Sequence, residues 1–174
     1  MSDELPRRIG RVPDGRIAVR LVPREREILG SLAAELAREA AGDVAPAAGP
    51  DDPGLARLAP DAVADDAEAS AAFRELTGAD LEAARQARFA MLAETIDAAY
   101  LDEPHALAWL GAINDLRLVH GTRLGVTDET GSRPLDESDP DAGRTIAFLW
   151  LGWVEEQLVE ALREGLSPDL GTAD

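Results

Sequence analysis

Along most of the chain, apolar residues recur at steps of three and four, the spacing typical of amphipathic helices. The first run begins at Pro23, which suits the first turn of a helix, and stops at Gly42. Later runs follow residues whose side chains can cap a helix N-terminus: Asp65, Thr77 and Asp102. The pattern therefore predicts helices over about 23–41, 65–76, 77–100, 103–120 and 142–164, with one helical turn at 55–59.

Strand-like alternation occurs only at the start of the chain. Segments 9–12 and 16–21 flank a Pro-Asp-Gly turn at 13–15, whose glycine suits the left-handed conformation of a bulged hairpin. This turn places Ile9 opposite Val19 on the paired strand. We therefore predict a mainly α fold: a helical bundle of about five or six helices preceded by an N-terminal β-hairpin.

The length of 174 residues fits one domain with one core. We assign residues 1–22 to the hairpin, 23–166 to the helical body and 167–174 to a frayed C-terminal tail. The loop at 42–54 is rich in proline, glycine and aspartate and has nothing to bury, whereas the loop at 125–141 is long and acidic. We expect both loops to be mobile.

Composition excludes several kinds of chemistry. The chain has no cysteine, which rules out thiol catalysis, cysteine-ligated zinc, iron–sulfur clusters and disulfide bonds. Every basic residue is arginine, so a Schiff-base lysine and a phosphate-binding Walker lysine are absent too. The sequence motifs for dinucleotide binding and acyl transfer are also missing. We therefore predict a protein that is not an enzyme and that binds no cofactor.

The histidines and the acidic loop do not fit a metal site. His105 and His120 lie on one predicted helix, fifteen positions apart, which separates them by more than about 20 Å along its axis. Asp136, Asp139 and Asp141 lie in the acidic loop, but the glycine and the glutamate of an EF-hand are not at the required positions. We predict no metal.

Charge is distributed unevenly along the chain. There are 34 acidic residues and 17 arginines, which gives a net charge of −17. The first 26 residues are nevertheless basic, and Arg8, Arg16 and Arg20 lie on the polar face of the predicted hairpin. An acidic body repels nucleic acids and anionic membranes, so we expect a protein partner and no membrane contact. Because no stretch resembles a signal peptide or a transmembrane helix, we predict a cytoplasmic location.

The helix predicted at 103–120 carries polar residues within its apolar arc. Asn114, Arg117 and His120 recur there at three-residue steps, and Arg123 follows at the next step. A buried arginine needs a carboxylate or several carbonyl acceptors. Two interpretations remain open: a hydrogen-bond network that locks helix packing, or a ligand pocket in which Arg117 anchors an anion and His120 titrates near neutral pH. The apolar residues of this arc are Leu107, Leu110, Ile113 and Leu118.

The last predicted helix is apolar nearly all round, with nine consecutive apolar residues at 146–154. A core-facing stripe is formed by Ile146, Trp150, Trp153, Val154 and Ala161. Phe148 and Val159 fall on the opposite side. Because a helix that is apolar nearly all round exposes apolar surface on either side, we expect both sides to be covered. It is therefore either the central helix of a monomeric bundle or a helix with an association face. For the second case we predict a homo-oligomer or partner contact through Phe148, Trp150, Trp153 and Val159.

Residues 109–126 (WLGAINDLRLVHGTRLGV), together with the basic hairpin and the tryptophan-containing last helix, resemble the AosR-type family of actinobacterial regulators. The resemblance covers nearly the whole chain, and its most specific part is the run N-D-L-R-x-x-x-G-T-R-L-G. It implies a non-enzymatic regulator of the oxidative-stress response that works with the transcription machinery. In that type a cysteine pair senses oxidants, and this chain has no cysteine, so thiol sensing is not carried over.

Three hypotheses follow for the function. The first is a cytoplasmic regulator that acts through protein–protein contacts. The second is a regulator that contacts DNA through the arginine face of the hairpin, and the third is a small-molecule sensor built on the polar residues of the 103–120 helix. An acidic body attracts basic protein surfaces and speeds association with them, so we favour the first hypothesis.

Overall fold

The computed structural model describes residues 7–59, 67–127 and 138–166. Within them the chain forms a three-stranded antiparallel sheet and five helices, which confirms the mainly α fold with an N-terminal hairpin. The strands are β1 (Ile9–Arg11), β2 (Ile17–Val19) and β3 (Tyr100–Leu101). The helices are α1 (Pro23–Ala40), α2 (Pro53–Ala56), α3 (Ala67–Thr95), α4 (Glu103–Arg123) and α5 (Ala142–Leu166).

The hairpin has the register that its turn predicts. Ile9 lies opposite Val19, and Gly15 takes the left-handed conformation with a φ of 87°. The third strand, β3, has no counterpart in the sequence pattern, because two residues show no periodicity. It pairs with β2 and places Leu101 opposite Ile17, and both of these side chains are fully buried.

Helix α5 closes the outer edge of the sheet. The Oε1 atom of Gln157 accepts hydrogen bonds from the backbone amides of Arg8 (2.6 Å) and Ile9 (3.0 Å). The Nε of Arg11 donates to the carbonyl of Ala161 at 2.9 Å. Amides on a strand edge are otherwise open to water or to another strand. These bonds join the hairpin to the helical body, and buried residues of both form one core.

Helix α4 lies at the centre of the bundle and contacts the other four described helices. Trp109, Ile113 and Leu116 are fully buried on its core face, and the indole N–H of Trp109 donates to Thr95 Oγ1 at 2.8 Å. This face differs from the predicted arc, since Leu107 is 51 % exposed. The difference arises because alanines occupy much of the core face, where they allow close packing, while large apolar residues surround the whole helix.

Helix α3 runs without interruption from Ala67 to Thr95, so the prediction of two helices that meet at Thr77 was wrong. The hydroxyl of Thr77 donates to the carbonyl of Phe73, one turn earlier and 2.9 Å away, instead of capping a new helix. The other predicted cap, Asp65, lies outside the described residues.

Helix α4 continues beyond its predicted end at His120 and reaches Arg123. Gly121 therefore lies inside the helix, where it is buried. The left-handed glycine that follows the helix is Gly125, with a φ of 62°. A glycine marks a helix end when the chain needs its left-handed backbone conformation, as at Gly125. At Gly121 the chain needs only its small size, and the helix continues.

The core-facing stripe of α5 consists of Leu151, Val154, Leu158 and Ala161. Ile146, which the sequence places in that stripe, is 53 % exposed. Trp150 and Trp153 are partly buried and pack at the margin of the core. The prediction is correct for Val154 and Ala161 and wrong for Ile146, and it omits Leu151 and Leu158. With nine apolar residues in succession, the pattern does not fix which side of the helix faces the core.

The loop between α1 and α2 is anchored to the helical body, so the prediction that it has nothing to bury was wrong. Asp52 and Gly54 are buried. The amide of Ala47 donates to Glu39 Oε1 at 2.9 Å. The mobility of this loop stays a prediction. Most of the second loop and the whole predicted C-terminal tail lie outside the described residues.

Candidate functional site

The half-buried ring of Phe148 lies between two clefts on the surface formed by α4 and α5. The guanidinium carbon of Arg117 lies 5.3 Å from the centre of the ring, a cation–π distance. The ring also covers Gly121, where an added Cβ would lie 2.9 Å from it. Helices α4 and α5 approach closely here because residue 121 has no side chain.

Arg117 is paired within the chain. Its Nη1 donates to the carboxylate of Glu155 on α5. Its guanidinium also lies over Gly152, where an added Cβ would be 3.4 Å away. Arg117 therefore stabilises the contact between α4 and α5, and an anion would have to compete with Glu155 for it.

An open groove runs between α4 and α5 on one side of Phe148, and we call it the α4–α5 groove. It consists of two adjoining clefts of about 290 and 430 Å³ that share Arg117 and Phe148. Asn114 belongs to its α4 wall and Val159 to its α5 wall. The groove thus brings together part of the predicted polar set and part of the predicted association face. Other residues that line it are Leu118, Gly121, Thr122, Val126, Leu149, Gly152, Glu155 and Glu156.

The structure divides the predicted polar set. Asn114 is exposed at the groove, not buried within an apolar arc, because the core face of α4 is turned away from it. His120 and Arg123 line a different cleft.

The two tryptophans of the predicted association face also lie elsewhere. Trp150 and Trp153 pack against the core, and in the described part of the chain they do not line the α4–α5 groove. The Nε1 atom of Trp150 is buried and has no acceptor among the described residues. Of the predicted association face, Phe148 and Val159 remain at the groove.

The second cleft, which we call the His120 cleft, lies beyond the ring of Phe148 and has two compartments. One, of about 290 Å³, is lined by the charged side chains of Glu35, Arg123 and Arg144 together with small and apolar residues. The other, of about 200 Å³, is mainly apolar and is bordered by the same His120 and Arg144. The cleft is built by α1, the loop after it, the end of α4 and the start of α5.

His120 is half-buried and uncharged at neutral pH. Burial is the main cause that lowers its pKa below the usual 6.5, and the positive charge of Arg123 lowers it further. The carboxylates of Glu35 and Glu39 act in the opposite direction. The ring makes no hydrogen bond to the described residues. A neutral imidazole has one donor and one acceptor nitrogen. Neither nitrogen of His120 has a hydrogen-bond partner among the described residues.

Arg123 is held by two buried carboxylates. Its Nη2 lies 2.5 Å from both Glu39 Oε2 and Asp52 Oδ2, and its Nε donates to the same Asp52 oxygen at 3.0 Å. Burial raises the pKa of Asp52, but hydrogen bonds from Arg123 and from the amide of Gly54 outweigh this and hold that pKa below 3.8. Arg123 therefore fixes the loop after α1 to the end of α4.

The acidic partners in these clusters are the functional residues that sequence reasoning misses. A similar cluster surrounds the buried Asp115, which accepts from Arg88 at 2.9 Å and lies 3.6 Å from Nε of Arg85. Asp52 carries a local signal, since an aspartate before Pro-Gly suits the N-cap of a short helix. Glu39 and Asp115 carry no such signal.

The arginine face of the hairpin is largely neutralised within the chain. Arg16 pairs with Asp14 at 2.7 Å, and Arg8 Nε lies 3.8 Å from Glu25. Of the three predicted residues of this face, Arg20 alone has no acidic partner among the described residues. Less positive charge is therefore available to a phosphate backbone than the sequence suggests.

Within the described ranges, no group of three acidic or histidine side chains is arranged to hold a metal ion. His105 is bound to the carboxylate of Asp102 at 2.6 Å. In the acidic loop, Asp139 accepts from the amide of Asp141 at 2.9 Å, and Asp136 lies outside the described residues. None of the helices in these ranges combines the length and the apolarity needed to cross a bilayer.

Comparison with known proteins gives a family match. The model of a family described as "Domain of unknown function (DUF2017)" matches residues 6–162, which includes the hairpin and all but the last turn of α5. No curated protein and no solved structure matches the chain.

Proposed function

The chain belongs to the DUF2017 family, and we propose that it is a non-enzymatic regulatory protein that binds a partner protein in the α4–α5 groove. The bound segment of the partner is a basic amphipathic helix. Its apolar side lies against Phe148 and Val159, and its basic side faces the carboxylates at the rim of the groove.

The observation that carries this proposal is the composition of the groove. The ring of Phe148 and the aliphatic side chains of Leu118 and Val159 line it, and the carboxylate of Glu156 is exposed beside them. Glycines at positions 121 and 152 add no side chain to it, and at position 121 a Cβ would lie 2.9 Å from the ring of Phe148. A groove between two helices that combines apolar side chains with charged ones is an arrangement that binds amphipathic helices.

Charge favours a basic partner. The chain has a net charge of −17. Arg117 is the cation that lines the groove in the described residues, and it is bound to Glu155. Glu156 is exposed on the next position of α5 and attracts a positive charge. Complementary charge raises the association rate and orients the partner.

The hairpin supports a protein partner over a nucleic acid. Affinity for a nucleic acid depends on the neutralisation of several phosphates by free cations. Arg8 and Arg16 are already paired with acidic residues of the same chain. A phosphate would have to compete with these carboxylates, which reduces what each arginine adds to the binding of a duplex.

The resemblance of residues 109–126 to the AosR-type regulators supports a role in regulation that is linked to oxidative stress and transcription. The same segment supplies the α4 side of the groove, including Asn114, Arg117 and Leu118. In this proposal the region of strongest resemblance contacts the partner. Because the chain has no cysteine, an oxidative signal reaches it through the partner and not through a thiol of its own.

Site-specific cross-linking tests the proposal. A photoreactive phenylalanine derivative is introduced at Val159, which lies in the groove and is 38 % exposed. The matched control is the same substitution at Leu107, which is exposed on α4 but does not line the groove. We expect position 159, and not position 107, to capture a protein through a basic helical segment in the native cytosol.

Binding of the purified partner is then compared for Val159→Arg and Leu107→Arg. Arginine at 159 places a positive charge where a basic helix docks, so we expect at least about a tenfold rise in Kd, with Leu107→Arg unchanged. Affinity should also fall as the salt concentration rises. Equal binding by both variants overturns the proposal, as does capture of a second copy of this chain or tight binding of a DNA duplex by the unmodified protein.

A further inference from the structure

We propose that the His120 cleft binds a small zwitterion with an apolar side chain, of the class of branched or aromatic α-amino acids. This site is separate from the α4–α5 groove, because the ring of Phe148 lies between them. The inference does not depend on the function proposed for the groove.

The cleft has a suitable size for such a molecule and is divided into a charged and an apolar compartment. Its charged compartment of about 290 Å³ and its apolar compartment of about 200 Å³ meet along Leu32, His120 and Arg144. A ligand that spans both places a charged end in one and a hydrocarbon end in the other. Each compartment alone is below the range of about 300–1,000 Å³ that is usual for ligand pockets, so each suits one end of a small metabolite.

The charged compartment presents one group of each sign to a ligand. Glu35 is exposed and has no ion pair with the described residues. Arg144 is exposed too and contacts Asp141 at 3.0 Å through Nη1, in a surface pair of a kind that contributes little and exchanges readily. Arg123 is already occupied by two carboxylates. A ligand carboxylate therefore pairs with Arg144, and a ligand ammonium pairs with Glu35.

A ligand with a single charge suits this compartment less well. A simple anion at Arg144 meets the negative charge of Glu35 and, close to His120, that of Glu39. A simple cation at Glu35 meets the positive charge of Arg144. A molecule with both charges pairs with each group and avoids both repulsions, which is how opposed charges give specificity.

His120 lies at the junction of the compartments and positions the ligand. Its ring is half-buried and has no hydrogen-bond partner among the described residues. Both ring nitrogens are open to water in the cleft, and a ligand ammonium or carboxylate at this junction replaces that water with a direct hydrogen bond. The neutral ring serves either as acceptor or as donor.

The apolar compartment determines which side chain fits. Its walls include the fully buried Leu151 together with Leu32, Ala147 and Phe148. A branched or aromatic side chain that enters it loses contact with water, which favours binding. Glycine has no such group and leaves the compartment unfilled.

The experiment follows the ring signals of the two histidines by NMR in the full chain. L-leucine and L-phenylalanine are the probes. The matched controls are 4-methylpentanoate, which is leucine without the ammonium, isoamylamine, which is leucine without the carboxylate, and glycine, which lacks the side chain. We expect a saturable shift of the His120 signal with the two probes. His105, bound to Asp102 at the other end of α4, should not respond and is the internal control.

Two substitutions of exposed residues extend the test. Arg144→Gln and Glu35→Gln should each raise the Kd of L-leucine at least about tenfold. Arg163→Gln, an exposed arginine on α5 that does not line the cleft, should leave it unchanged. The proposal is overturned if neither amino acid shifts the His120 signal up to roughly 10 mM, if 4-methylpentanoate or isoamylamine binds as tightly as L-leucine, or if the cleft variants bind like the wild type.

Discussion

Arg123 on α4 holds Asp52, a residue 71 positions earlier in the chain, through Nε at 3.0 Å and Nη2 at 2.5 Å. The same Nη2 contacts Glu39, so one cation serves two carboxylates whose side chains are 2 % exposed or less. Glu39 lies near the end of α1, and Asp52 caps α2. The ends of three helices are therefore held by a single guanidinium.

Replacing Arg123 by methionine is expected to destabilise the fold strongly. Arg123→Met leaves two carboxylates buried without a counter-charge, and breaking such a cluster costs about 3–5 kcal/mol. The control is Arg144→Met, which removes only an exposed pair and should cost less than about 1 kcal/mol. Urea denaturation followed by circular dichroism measures both. Similar losses in the two variants would contradict the structural role of Arg123.

The cluster also makes stability depend on pH. Burial raises the pKa of Asp52, but the hydrogen bonds from Arg123 and Gly54 prevail and hold it below 3.8 in the folded state. Asp52 therefore stabilises the fold above about pH 4, and this contribution is lost as the pH falls through the folded-state pKa. In Asp52→Asn, the unfolding free energy should fall less steeply than in the wild type between about pH 5 and about pH 3. Parallel curves from denaturant titrations would refute this.

Because Phe148 contacts Gly121, we expect Gly121→Ala to lower the stability of the fold and Gly78→Ala to raise it. Alanine gains about 0.5–1 kcal/mol of helix propensity over glycine. At position 121 its Cβ would lie 2.9 Å from the ring, and overpacking costs about 1–3 kcal/mol, so Gly121→Ala should lower the melting temperature. Gly78→Ala in α3, where an added Cβ would meet no side chain and no other element within 4 Å among the described residues, should raise it.

A double-mutant cycle isolates this contact. In a Phe148→Ala background the ring is gone, so Gly121→Ala should become stabilising by about the amount seen for Gly78→Ala. Thermal unfolding of the four combinations measures the coupling. If Gly121→Ala is destabilising to the same extent in both backgrounds, the strain does not come from Phe148.

Gln157 provides a test of how the hairpin is attached. Gln157→Ala leaves the amides of Arg8 and Ile9 without their acceptor, and an unsatisfied amide of this kind costs about 1–3 kcal/mol. Hydrogen exchange of the Ile9 amide should accelerate together with the fall in stability. Glu160→Ala, exposed one turn later, should stay within about 0.5 kcal/mol of the wild type.

The sequence is most informative where the physical cause is local. The Pro-Asp-Gly turn determines the hairpin register, because the backbone conformation of the turn decides which residues face each other. The helix break predicted at Thr77 is wrong for a reason that is also local. A threonine hydroxyl either caps the start of a helix or bonds to a carbonyl one turn earlier in the same helix, as Thr77 does with Phe73. Both uses have the same sequence signature.

The candidate site is less predictable, because it depends on contacts between distant segments. That Arg117 needs a counter-charge follows from its position among apolar residues, but nothing local identifies Glu155, 38 positions later. Asn114 and His120 lie on one predicted arc, yet the ring of Phe148 falls between them and assigns them to different clefts. The helical pattern shows where residues lie around the axis of α4. It does not show that a side chain of α5 lies between two of them.

The amides of Arg8 and Ile9, at the start of the hairpin, donate to Gln157, which lies 149 and 148 positions later in the chain. During synthesis the hairpin leaves the ribosome long before α5 does, so the amides of Arg8 and Ile9 stay open until α5 has been made. A strand edge in that state pairs readily with the same edge of another nascent chain. Premature termination before α5 is thus expected to yield aggregates and not a shortened native protein.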